Sequence, residues 1–90
     1  MERNLEKHLE DTIRNPDIAG VLCTDEHGLC LGAKGNVNKD AAGHIASIAE
    51  SAARLNPNMP APVICIETEG GSILIKKEDK ITMAIYKQPN

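Results

Sequence analysis

The sequence predicts an α+β domain: a five-stranded antiparallel sheet in the spatial order 2-1-5-4-3, with an N-terminal helix and a crossover helix on its faces. Three observations lead there. The elements run α-β-β-α-β-β-β, read from where the apolar spacing changes between helical and extended. The long middle helix, about 17 residues, spans about 25 Å, enough to carry the chain from one end of a sheet to the other. The third strand then starts where the first ended, and all five strands can pair antiparallel. Finally, the runs VLC, VICI, LI and MAI are apolar on both faces rather than alternating, as expected of a sheet covered on both sides. Pairing the fifth strand with the first closes the arrangement and leaves strands two and three as edges, where an apolar edge invites a partner. No repeat, low-complexity run or linker divides residues 1–90, so they read as one domain.

Residues Glu2 to Arg14 form the first helix, with Leu5, Leu9 and Ile13 as a narrow apolar line and Glu10 placed to pair with Arg14 four residues on. Asn15-Pro16 ends it, because the residue before proline is pushed out of the α region. Ile18 to Thr24 has strand length. Asp25 to Gly28 is turn chemistry, and Leu29 to Gly32 resumes the apolar run, giving a β-hairpin. Gly32, Gly35 and Asn36 end that second strand and turn the chain into the middle helix.

That helix, Asn38 to Leu55, places Ile45, Ile48, Ala49, Ala52 and Leu55 on one face. Asn38 is the expected N-cap, Asp40 an acidic first-turn residue, and Asn56-Pro57 the stop. Six alanines between 41 and 53 coat most of its sides with methyl groups, so a sheet or a second helix can approach closely. The pattern leaves open whether it packs only on its own sheet or also meets a partner's helix. NPNMPAP is a rigid return loop. Val63 to Thr68, Ser72 to Lys77 and Ile81 to Lys87 are the remaining strands, turned by Glu69-Gly70-Gly71 and Glu78-Asp79-Lys80.

Composition narrows the function. With 41% hydrophobic and 26% charged residues the chain has the makeup of a folded domain, not a disordered one. A net charge of −3 and one aromatic residue, Tyr86, argue against nucleic acid, which calls for a concentrated basic face and stacking rings. No apolar run approaches membrane-spanning length, and Met1-Glu2 opens neither a signal peptide nor a myristoylation site. Direct membrane insertion is therefore not expected, and attachment would come through partners. Three irregularly spaced cysteines, Cys23, Cys30 and Cys65, suit a reducing compartment.

Catalytic signatures fail to assemble. Gly28, Gly32 and Gly35 match neither a dinucleotide fingerprint nor a phosphate loop, and the serines lack a nucleophile elbow. No cofactor is expected and the chain is read as a non-enzyme. One local alternative is a thiol- or metal-responsive module at Cys23, His27 and Cys30. A four-residue hairpin loop would set the two thiols directly opposite each other, although the spacing matches no zinc knuckle and supplies no fourth ligand.

The hairpin with its lead-in, HLEDTIRNPDIAGVLCTDEHGLCLGAKG, resembles the hepatitis B virus X-interacting protein family, the small roadblock-type subunit of the Ragulator complex. The likeness continues through the middle helix and PVICIETEGGSILIKKEDKITMAIYK, and so covers essentially the whole chain; Cys30 departs from it, standing where a polar residue is expected. The resemblance implies a roadblock domain and a heterodimer with a second roadblock-type subunit, made through the crossover helix and the third strand. A lipidated scaffold subunit would wrap the pair at the cytosolic face of late endosomes or lysosomes. The assembly would anchor Rag GTPases and support amino-acid activation of the target-of-rapamycin kinase.

The small-residue helix and the apolar edge strand point to the same surface independently. The expected interface comprises Ile45, Ile48, Ala49 and Ala52, lining the helix contact or the sheet beneath it, with Val63, Ile64, Cys65, Ile66 and Glu67 on the edge strand.

Overall fold

The computed structural model describes residues 2–89, so Met1 and Asn90 of the single-domain range lie outside the described residues. Helix α1 (Glu2–Ile13) leads into β1 (Ile18–Thr24) and β2 (Cys30–Gly35). A single 3₁₀ turn, Lys39–Ala41, opens α2 (Ala42–Arg54), and β3 (Ile64–Thr68), β4 (Gly71–Glu78) and β5 (Ile81–Lys87) follow. The sheet runs β2-β1-β5-β4-β3 with every pair antiparallel, the order expected from the sequence.

Register sorts the side chains onto two faces. Ala84 of β5 opposes Leu22 and Ile75, and Ile73 opposes Tyr86 and Ile66, so these residues share the face that α2 covers. There Ile45 and Ala49 meet Ile75 and Ala84, with Ile48, Ile64, Ile66, Ile73 and Tyr86 packed around them. The other face centres on Leu9 of α1 against Val21 and Cys23, surrounded by Leu5, Ile81, Met83 and Ile85. Alanines on α2 bring that helix close, and glycines do the same for α1. A Cβ at Gly32 would stand 2.8 Å from Leu9 Cδ1, and one at Gly35 would stand 2.7 Å from Ile13 Cδ1.

Several local details differ from the sequence reading. The hairpin loop has five residues, Asp25 to Leu29, because the Asp25 carboxylate accepts from the N–H groups of His27 and Leu29 at 2.8 and 2.9 Å while Gly28 turns with φ +85°. The strand starts at Cys30, not Leu29, and continues through Gly32 to Gly35. Glu10 does not pair with Arg14. It stands with Glu6 around the Lys34 ammonium, at 4.0 and 2.8 Å, while Arg14 reaches Asp11 at 3.7 Å. A partner across the gap to β2 wins over one along the helix because Lys34 rises from the strand beneath α1.

Candidate interaction surface

The region between α2 and β3 is built by a helix that ends at Arg54, shortly before a proline, and a strand at the sheet edge. Asn38 Oδ1 accepts from the Asp40 N–H at 2.9 Å, fixing the 3₁₀ turn from which α2 grows. Ala42, Ile45 and Ala49 are the buried positions of α2. Ile48 and Ala52 lie half-buried, whereas His44, Ser47 and Ser51 face outward. Glu50 and Arg54 pair at 2.8 Å along the exposed side. The Leu55 N–H closes the last turn on the Ala52 carbonyl at 3.1 Å, and Asn56-Pro57 then leads the chain away.

Among the described residues β3 pairs only with β4, leaving its outer edge without a strand. Ile64 and Ile66 point to the α2 side and are half-buried, while Cys65 and Glu67 are exposed and, by register with Leu74 and Ser72, belong to the other face. Val63 precedes the strand and is 60% exposed.

The expected interface residues therefore divide. Ile45 and Ala49 point into the domain's own core, against Ile75 and Ala84 of the sheet beneath. Ile48, Ala52, Ile64 and Ile66 form the half-buried margin between core and edge, and Val63, Cys65 and Glu67 stand outside it. Two further large apolar residues between α2 and β3 are exposed. Leu55 does not lie on the buried face of α2: it is 85% exposed and stands as the C-cap, just past the last helical residue Arg54. Met59, in the loop leading to β3, is 61% exposed. The signal for both is a large apolar side chain beside prolines, in a stretch that offers no element to bury it.

Cys23, His27 and Cys30 are not arranged as a ligand set. The longer loop and a bulge put Cys23 opposite Gly32 and Cys30 opposite Thr24. Burial, with a smaller contribution from the neighbouring Cys30, pushes the Cys23 thiol up to about 11, away from the thiolate that metals and oxidants require. The Cys30 thiol points to the Gly32 carbonyl at 3.6 Å, and the exposed His27 ring stands 3.6 Å from Glu26. Thiol opposition required a four-residue loop, and the double acceptance by Asp25 prevents one.

On the α1 face, a groove of about 920 Å³ separates the start of α1 from the β4–β5 hairpin. Leu5, Ile81 and Met83 line it together with Lys76, Glu78, Asp79 and Lys80. Among the described residues, no helix is long and apolar enough to cross a membrane.

Comparison with known proteins matches residues 1–87 to the family described as Ragulator complex protein LAMTOR5. The chain is 46% identical over 88 residues to Ragulator complex protein LAMTOR5 of Xenopus laevis, covering 97% of each. It is 43% identical over 91 residues to the LAMTOR5 homolog of Nematostella vectensis, covering both completely. Among solved structures it resembles Myxococcus xanthus MglB, with a TM-score of 0.82 at 12% identity over 97% of this chain and 71% of that one. A Roadblock/LC7 domain from Streptomyces avermitilis gives 0.68 at 13% identity, over 89% and 74%. The fold is thus of the roadblock type, and the full-length likeness to the named relatives settles the rest: the chain belongs to the Ragulator complex protein LAMTOR5 family.

Proposed function

We propose that this chain is a non-catalytic scaffold subunit of a Ragulator-like complex, acting by heterodimerisation with a second roadblock-type subunit. In this reading a lipidated scaffold subunit wraps the pair and brings it to the cytosolic face of late endosomes or lysosomes. The assembly anchors Rag GTPases there and supports amino-acid activation of the target-of-rapamycin kinase. The observation that carries the proposal is family membership over 1–87. The α2–β3 corner supports the pairing step, since Leu55, Met59 and Val63 expose apolar area beside an edge strand that offers free backbone groups.

The non-catalytic part of the reading has its own support. Among the described residues, the groups whose titration is shifted have local structural causes: Cys23 is buried in the core, Asp25 accepts from the hairpin-loop backbone, Lys34 pairs with Glu6 and Glu10, and Tyr86 is half-buried beside α2. The test is purification of the tagged chain at its natural expression level, with identification of what accompanies it and imaging of where it resides. A second roadblock subunit and a lipidated subunit in fixed proportion, together with lysosomal location, are the expected result. Recovery of the chain alone, or with unrelated partners away from that membrane, would reject the proposal.

A further inference from the structure

We draw no further inference here: the strongest candidate, the apolar groove between α1 and the β4–β5 hairpin lined by Leu5, Ile81 and Met83, carries a rim of both signs of charge at Lys76, Glu78, Asp79 and Lys80, and nothing in the structure shows what covers it.

Discussion

At Gly35 the chain leaves β2 with φ +78°, and an added Cβ would stand 2.5 Å from the Ala19 carbonyl oxygen and 3.0 Å from Gly20 Cα. Both obstacles are backbone, so a side chain cannot be accommodated by a rotamer change. Gly35→Ala should cost about 2 kcal/mol or more, combining left-handed strain with the clash. A urea midpoint followed by circular dichroism measures this, and a midpoint equal to wild type would show that the turn is adjustable. Cys23 gives a prediction about pH. Its folded pKa, about 11, lies above the unfolded value, so it contributes stability at neutral pH that is lost as pH rises from about 9 through 11. The urea midpoint should fall over that window in the wild type and fall less in Cys23→Val, which cannot ionise. Equal losses in the two proteins would place the sensitivity elsewhere.

At the scale of elements, α2 turns one face wholly inward. Ala49 is 2% exposed between Ile45, Ile75 and Ala84. A glutamate there would bury an unpaired carboxylate, at a cost of several kcal/mol. Ala49→Glu should therefore unfold the subunit instead of only separating it from partners, seen as loss of the far-ultraviolet helix signal. A folded but monomeric variant would mean that this face meets a partner after all. Helix α1 is held differently, by Leu9 in the core and by the Glu6–Lys34–Glu10 group at its rim. Exposed ion pairs are screened by salt. Lys34→Met should therefore lessen the salt dependence of stability while leaving the fold intact, and an unchanged dependence would show that the group contributes nothing measurable.

Elements of this kind were largely legible in the sequence. The strands, the crossover helix and the edge position of β3 follow from apolar spacing and turn residues, which act over a few residues. What escaped was set by contacts across the fold. Glu10 left its helical neighbour for Lys34, a residue on another element. The hairpin gained a loop residue through two hydrogen bonds to one carboxylate. Leu55 continued the helical spacing by count yet stands exposed at the C-cap. For the candidate surface, spacing placed Ile45, Ile48, Ala49 and Ala52 together on one helix, while only their depth beneath the helix separates core from margin.

For the molecule as a whole, the two faces of the sheet are built unequally. On one, α2 lies across β1, β5 and β4. On the other, α1 rests on β1 and β2, while Leu74 of β4 and Cys65 of β3 lie on that face toward the opposite edge of the sheet. A fold of this size buries a modest share of its surface, and exposed apolar side chains near an edge strand favour association. That asymmetry is what the proposed pairing uses. The most direct test is light scattering on this chain mixed with the second roadblock-type subunit of the proposed pair, comparing wild type with the double variant Leu55→Glu/Val63→Glu. Both substituted positions are exposed, so circular dichroism should stay native while the one-to-one complex weakens at least tenfold, the equivalent of about 1.4 kcal/mol. A double variant that keeps the wild-type fold and still pairs with wild-type affinity would contradict the α2–β3 corner as the site of pairing.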